Sequence, residues 1–184
     1  MRLFIACELP ADVRKSLAGI ASGFSSGSAR MKWVEEENLH VTMKFLGDVP
    51  DGKVEKVKDA LGVVAFGRFD ARISGIGVFP PSGTPRVLWA GLEPTEGFSA
   101  LHGAIEDALE GIGFERDGRR FSPHATLARV RSVDDLSSFR RSVSWIGMEG
   151  HGFSVESFIL KSSVLTPSGP LYSDEAVFGA RAER

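Results

Sequence analysis

The sequence contains one cysteine, Cys7, among its 184 residues, and no strong excess of either charge. A single cysteine excludes an internal disulfide and is typical of a reducing compartment. The formal net charge of −2 excludes the strongly basic balance of proteins that coat long nucleic acids. A polyanionic ligand would therefore have to be bound by a local group of cations.

Long apolar runs are also missing. The run at residues 3–7 is too short for the core of a signal peptide, and no segment approaches the length of a membrane span. We therefore expect a cytoplasmic protein that binds no membrane, and we expect a monomer with no protein partner. A content of 42% hydrophobic residues, with 13 Phe, is enough for one well-buried core.

Hydrophobic periodicity and turn residues predict alternating strands and helices. Asp51 resembles a helix N-cap, and the segment PPSGTP at residues 80–85 breaks the chain near its middle. The predicted strands cover residues 2–9, 39–46, 69–79, 86–93, 121–130, 153–161 and 171–178, and the predicted helices cover 12–20, 51–65, 96–111 and a segment opening near Asp135.

The order of elements repeats after the break. Sliding the sequence by 84 positions aligns landmarks of corresponding elements without gaps, which predicts an internal duplication. We expect a single bilobal domain over residues 1–184, with repeats of about 1–80 and 85–164 and a last strand at 171–178. Two copies around a pseudo-twofold axis would place equivalent residues across from each other. The aligned landmarks include Pro10 with Pro94, Asp51 with Asp135, and His40 with His124.

A His-x-Thr triplet occurs once in each repeat, as HVT at residues 40–42 and HAT at residues 124–126. Four histidines and five threonines placed at random would give only about 0.1 such triplets in this chain. Residues two apart on a strand share a face, so each predicted strand presents one imidazole and one hydroxyl together. The doubled pattern therefore predicts one shared site.

The residue types indicate phosphoryl chemistry. Two imidazoles across a cleft can act as base and acid near neutral pH. Threonine hydroxyls can donate to the non-bridging oxygens of a phosphate. Displacement at phosphorus is in line, which suits histidines on opposite walls. A metal site is the alternative, but no cysteine or carboxylate cluster accompanies either motif, so we expect no metal and no cofactor.

Cations beside the motifs are candidate substrate contacts. By strand alternation Lys44 shares the face of His40 and Thr42 and could hold a phosphate, although it could also be a solvated strand end. Arg129, with Arg119 and Arg120, forms a local basic patch around the second motif.

The remaining histidines and the aromatic residues are weaker candidates. We expect His102 and His151 to lie on the surface. Four aromatic residues could stack on a nucleobase. Core packing is the expectation for each of them except Trp33, which follows a loop. These four are Phe4, Trp33, Phe45 and Trp89.

Together these residues resemble the 2H phosphoesterase superfamily, specifically the RNA 2′,3′-cyclic phosphodiesterases, also called the 2′-5′ RNA ligase family. The resemblance covers essentially the whole chain, and the paired motifs are highly specific together. The segments that carry it are RLFIACELP at 2–10, HVTM at 40–43, KFLG at 44–47, PRVLWAG at 85–91 and SPHATLAR at 122–129.

The resemblance implies an α+β fold in which two pseudo-symmetric lobes of antiparallel sheet, with flanking helices, surround a central cleft. It also implies a metal-independent reaction that opens a terminal 2′,3′-cyclic phosphate to a 2′-phosphomonoester. In that reaction His40 would protonate the departing 3′ oxygen and His124 would take the proton of the attacking water. Thr42 and Thr126 would bind the phosphate oxygens.

The implied partners are RNA 3′ ends or small 2′,3′-cyclic nucleotides. Two alternatives to hydrolysis stay open at this point. One is ligation of 2′-5′ RNA ends in tRNA processing. The other is a non-catalytic module that binds RNA ends or nucleotides.

Overall fold

The computed structural model describes residues 1–24, 27–147, 152–167 and 169–181. Within these ranges the chain forms nine strands and four helices. The strands are β1 (Arg2–Glu8), β2 (Ala29–Trp33), β3 (His40–Asp48), β4 (Phe69–Phe79), β5 (Val87–Glu93), β6 (His124–Val133), β7 (Gly152–Val155), β8 (Ser157–Leu165) and β9 (Pro170–Gly179), and the helices are α1 (Ala11–Gly23), α2 (Asp51–Gly62), α3 (Thr95–Glu110) and α4 (Leu136–Ser144).

The strands form one antiparallel sheet in the order β7-β4-β5-β6-β3-β1-β8-β9, with β2 paired to β6. Because the strands are antiparallel and the helices lie between them in the chain, the predicted α+β class is confirmed. The two motif strands, β3 and β6, are neighbours at the centre of the order. Each is the innermost strand of its own half of the sheet.

The inner strand order is symmetric about the centre. Reading outward from the β6–β3 contact, one side gives β6-β5-β4 and the other gives β3-β1-β8. Strand β4 belongs to the first half of the sequence but pairs with β5, whereas β8 belongs to the second half but pairs with β1. Each half of the chain thus gives one strand to the other half of the sheet, so neither half forms a lobe alone.

Helices cover one face of the sheet and leave the motif residues on the other. The alternate residues of β3, Val41 and Met43, are buried in the same apolar cluster as Leu17 of α1 and Leu101 of α3. His40 and Thr42, which alternate with them, are only half-buried. No helix within the described ranges is long and apolar enough to cross a membrane.

Three local predictions need correction or detail. Strand β2 was not predicted, because its five residues are too few to show a period. The predicted strand 153–161 is two strands, which separate at Glu156 because β7 pairs with β4 while β8 pairs with β1. Helix α2 begins at Asp51, whose side chain makes no capping hydrogen bond. Asp135, in contrast, caps α4 by accepting from the backbone N–H of Ser138.

A buried ion pair ties β3 to α3. The Nζ of Lys44 donates to Glu106 Oε1 at 2.7 Å and to the backbone oxygen of Glu115 at 2.8 Å. The second carboxylate oxygen of Glu106 accepts from the backbone N–H of Asp117. Both charged side chains are less than 10% exposed. This network therefore holds the segment that leads into β6 against the strand that carries the first motif.

Removing the cation of this pair should strongly destabilise the fold. The variant Lys44→Met leaves the Glu106 carboxylate buried without its partner, a change that costs about 3–5 kcal/mol of unfolding free energy. The double variant Lys44→Met/Glu106→Met removes both charges and should recover most of that loss. Urea unfolding followed by circular dichroism measures both.

The matched control is Lys58→Met, because Lys58 pairs with the exposed Glu55 one helical turn away. Its unfolding midpoint should equal that of the unchanged protein. A Lys44→Met midpoint as high as that of the control would show that the buried pair contributes nothing.

Candidate active site

The two motif strands contact each other at one pair of equivalent residues. Val41 of β3 pairs with Ala125 of β6, and these positions are 84 residues apart in the sequence. In an antiparallel pair this register places His40 opposite Thr126 and Thr42 opposite His124. The two histidines are then diagonal neighbours, with side chains on one face and a separation of ~7–8 Å or somewhat less between them. We call this contact the seam.

Each motif imidazole is held by the same backbone contact. The Nδ1 of His40 lies 2.7 Å from the carbonyl oxygen of Asn38, and the Nδ1 of His124 lies 2.8 Å from that of Ser122. A carbonyl oxygen only accepts, so each Nδ1 carries a hydrogen and donates it. The Nε2 atoms are therefore the positions at which both rings take up or release a proton.

The first motif also contains an internal contact. The Nε2 of His40 lies 3.0 Å from the hydroxyl oxygen of Thr42. With the Nδ1 hydrogen fixed by Asn38, the neutral ring accepts from this hydroxyl, and the protonated ring donates to it. In either state this hydrogen bond keeps Nε2 of His40 on the strand face that the ring shares with Thr42.

The surroundings of the two rings differ. Burial lowers the pKa of His40, and the nearby cation of Lys161 lowers it further, while the bond to Asn38 and the Glu8 carboxylate oppose this shift. The ring of His40 contacts Phe4 and Tyr172.

The ring of His124 is instead edge-on to Phe79 and Trp89. Trp89 lies flat on the sheet above Gly77, where any side chain would collide with the indole. The glycine therefore permits the aromatic wall beside the second histidine. Both histidines thus lie beside aromatic rings, and His40 in addition lies near the charged groups of Lys161 and Glu8.

A cavity of about 710 Å³ opens above the seam, and we call it the cleft. It is lined by His40, Thr42 and Thr126. His124 does not line this cavity, but it projects from the same face of β6 as Thr126, by strand alternation. The other lining side chains include the aromatic residues Phe4, Trp33, Phe45 and Tyr172, the cations Arg2, Lys32, Arg129 and Arg131, and the carboxylates Glu35 and Glu37.

The expectation that Lys44 shares the cleft face is wrong. The register between β1 and β3 shifts so that Ala6 pairs with Thr42 and Ile5 with Lys44, which leaves Met43 as an extra residue. This bulge turns Lys44 toward the helices, where it binds Glu106. Its cation is therefore unavailable to a ligand in the cleft.

The same bulge occurs after the second motif. Trp89 pairs with Thr126 and Leu88 with Ala128, so that Leu127 is the extra residue. In both strands, the next residue whose side chain faces the cleft is the third residue after the threonine. In β6 that residue is Arg129, which lines the cleft, and in β3 it is Phe45. The role of Arg129 as a substrate contact stays a prediction. Phe45 is 72% exposed, contrary to the expected core packing.

Other candidates lie away from the cleft. Arg119 and Arg120 are exposed and do not line it, and Arg119 lies 3.6 Å from Asp117. His102 was expected on the surface, but its ring stacks on Phe121 and its side chain is only 13% exposed. His151 lies outside the described residues.

Several cleft residues were not identified from the sequence. Tyr172, Lys32 and Arg131 line the cleft, but they belong to strands whose pairing only the fold reveals. Asn38 and Ser122 could have been found, because each lies two residues before its histidine. Within the described residues, no group of three His, Cys, Asp or Glu side chains converges as metal ligands. The absence of a metal from the reaction stays a prediction.

Known proteins similar to this chain agree on one family. The family described as LigT-like phosphoesterase matches residues 8–89 and again residues 92–172. A relative from Archaeoglobus fulgidus, named RNA 2′,3′-cyclic phosphodiesterase, is 37% identical over 97% of this chain and 99% of its own length. A relative of the same name from Methanothermobacter thermautotrophicus is 35% identical over 97% and 98%.

A solved structure shows the same architecture. A protein from Thermus thermophilus superposes with a TM-score of 0.80 at 32% identity, and all of both chains is covered. The protein therefore belongs to the LigT-like phosphoesterase family.

Proposed function

We propose that this phosphoesterase hydrolyses 2′,3′-cyclic phosphates at RNA 3′ ends to 2′-phosphomonoesters. The observation that carries the proposal is the pair of diagonal imidazoles at the seam, each with Nδ1 bound to a backbone carbonyl and Nε2 left for proton transfer. The name shared by the archaeal relatives supports the choice of substrate.

The reaction needs two proton transfers on opposite sides of one phosphorus atom. His124 Nε2 accepts a proton from water as the water oxygen forms a bond to phosphorus. The bond from phosphorus to the 3′ oxygen breaks, and His40 Nε2 donates its proton to that oxygen. The product keeps the phosphate on the 2′ oxygen, and the net change is the addition of one water. Attack and departure are in line, as displacement at phosphorus requires.

The threonines bind the oxygens that do not take part in bond breaking. Thr42 and Thr126 both line the cleft and lie across the seam from the opposite histidine. When a cyclic phosphate enters, a non-bridging oxygen accepts from the Thr42 hydroxyl, so Thr42 no longer donates to His40.

The environment of His40 suits a proton donor that becomes protonated when the substrate binds. Burial lowers the pKa of His40 in the free protein, so that its imidazolium is a stronger acid once formed. A cyclic phosphate carries one negative charge, and an anion close to the ring favours the protonated form. Substrate binding therefore places the proton on His40 where it is needed.

The aromatic side chains near His40 provide a surface for the nucleoside. Phe45 is exposed in the cleft, and Tyr172 contacts both Phe4 and the His40 ring. Stacking of a base on such a surface contributes about 1–3 kcal/mol and tolerates any base. The cyclic phosphate on the same nucleoside then lies at the seam.

Replacing either histidine with alanine should lower kcat by about 10²–10⁴-fold, the usual contribution of general acid or base catalysis. At a pH above the titration midpoints of His40 with and without ligand, where its ring is neutral in both states, the affinity for 2′-AMP should change little, because the threonines remain. The rate on an oligonucleotide with a 2′,3′-cyclic phosphate and the 2′-AMP affinity measure the two effects. Turnover of the double variant at the normal rate would contradict the assignment of both residues.

A substrate with sulfur at the 3′ position distinguishes the acid from the base. A thiolate leaves without protonation, so His40→Ala should regain most of its rate on this substrate, whereas His124→Ala should stay slow. Rescue of His124→Ala alone would show that the two roles are reversed. An equal rate of both variants on this substrate would contradict the assignment of one histidine as acid and the other as base.

Chelation of metal ions should leave the rate unchanged. The proposed mechanism uses only side chains, so activity after dialysis against EDTA should equal that before it. Mass spectrometry of the product should find a 2′-phosphomonoester in both cases. Loss of activity in EDTA that added Mg²⁺ or Zn²⁺ restores would show that a metal takes part.

The proton affinity of His40 should rise when the product binds. In the free protein its NMR titration should have a midpoint below the ordinary 6.5, because burial disfavours the charged ring. Saturation with 2′-AMP should move the midpoint upward, since the phosphate stabilises the imidazolium. His102, whose pKa is also lowered by burial but which lies outside the cleft, is the internal control. An equal shift of both histidines would contradict a local effect.

A further inference from the structure

Four cations line the cleft of a chain whose net charge is negative. Arg2, Lys32, Arg129 and Arg131 outnumber the two carboxylates that line it, although the chain as a whole carries −2. Among the residues that the structure describes, these four cations form no salt bridge and no side-chain hydrogen bond. Their charge is therefore available to an anionic ligand.

Two of the cations oppose each other on neighbouring strands. Lys32 of β2 and Arg129 of β6 are direct partners in the register. Like charges directly opposite each other in a sheet repel, so this pairing destabilises the isolated protein. An anion between the two side chains would convert that repulsion into attraction.

The cations extend away from the seam rather than surrounding it. Arg129 lies three residues beyond Thr126 on β6, and Arg131 lies two residues further, a step of ~6–7 Å. That step is comparable to the separation of successive phosphates in an extended single strand. Burial raises the pKa of Tyr172 while Arg129 and Arg2 both oppose the rise, which places cations from both halves of the sheet near one wall of the cleft.

We propose that Lys32, Arg129 and Arg131 form a second phosphate subsite that binds the internucleotide phosphate preceding the terminal cyclic phosphate. This inference depends on the proposed hydrolysis at RNA ends and adds a length preference to it. Oligonucleotides are then better substrates than the mononucleoside, because only they carry a phosphate at this position. Arg129 contacts the strand from the seam side, and Lys32 and Arg131 contact it farther out.

The test compares substrates that differ only in the second phosphate. One is a three-nucleotide adenosine oligomer with a terminal 2′,3′-cyclic phosphate, and its partner carries a neutral methylphosphonate at the last internucleotide linkage. Both oligomers have the same bases, so base stacking on Phe45 contributes equally to their kcat/KM values. Adenosine 2′,3′-cyclic phosphate, with and without a 5′-phosphate, completes the series.

The unchanged protein should prefer the charged oligomer over its methylphosphonate partner by about tenfold in kcat/KM, the value of one charge-assisted contact. The double variant Lys32→Gln/Arg131→Gln should lose most of this preference. The kcat/KM of this variant for the charged oligomer should also depend less steeply on salt. The slope of log kcat/KM against the logarithm of salt concentration should become shallower by about 0.7 for each cation removed.

The matched control is Arg30→Gln. Arg30 lies on the same strand as Lys32, but it donates to Ser132 and does not line the cleft. This variant has the same change of charge as each single substitution in the subsite and should keep the full preference. A loss of preference in Arg30→Gln equal to that of the subsite variants would show a general effect of charge and would overturn the proposal.

The outcomes separate the two proposals and the source of the phosphate. Hydrolysis of all four substrates at equal kcat/KM would overturn the subsite while leaving the proposed function intact. No hydrolysis of any of them would refute the proposed function. A 5′-phosphate occupies the same position as the internucleotide phosphate, so it should give part of the gain. A gain from the 5′-phosphate with none from the charged oligomer over its methylphosphonate partner would overturn the RNA strand as the ligand and assign the subsite to a terminal phosphate.

Discussion

The antiparallel contact between Val41 and Ala125 is the constraint on which the site depends. It fixes the register of the two motif strands, and a slip by one residue would turn every motif side chain to the opposite face. The contact is also where the two halves of the sheet join, so both halves share the apolar core behind it. Each half of the chain contributes a strand to the opposite half of the sheet. The two halves of the chain therefore cannot separate without breaking the pairing of both exchanged strands.

The bulge that follows each motif decides what else the cleft contains. Simple alternation would place Lys44 and Ala128 beside the threonines, but the extra residues Met43 and Leu127 reverse the faces. Lys44 is thereby used for the fold, in its pair with Glu106, while Phe45 and Arg129 return to the cleft. Bulges next to active sites redirect side chains in this way. Here one irregularity, present in both strands, gives the cleft an aromatic side and a cationic side.

The family resemblance implies the class of fold. Local periodicity predicts the strands and helices around both motifs and the face shared by each histidine and its threonine. The cleft placement of Phe45, the burial of Lys44 and the pairing of β2 with β6 were beyond prediction. A bulge depends on the partner strand, and a five-residue strand has too few positions to show a period. His102 was also misjudged, since its burial depends on Phe121, which is distant in the sequence.

A site built from two equivalent motifs must still perform an asymmetric reaction. The equivalent backbone contacts at Nδ1 give both imidazoles the same tautomer, so the difference has to come from the residues around them. Lys161, held by Glu8 and Asp174, lies close enough to affect His40, whereas His124 is bordered by Phe79 and Trp89. Charged neighbours shift the proton affinity of a ring in either direction, whereas burial beside apolar groups lowers it. In the proposed mechanism the symmetric strands would provide the geometry, and the unequal neighbours would give the two imidazoles different roles.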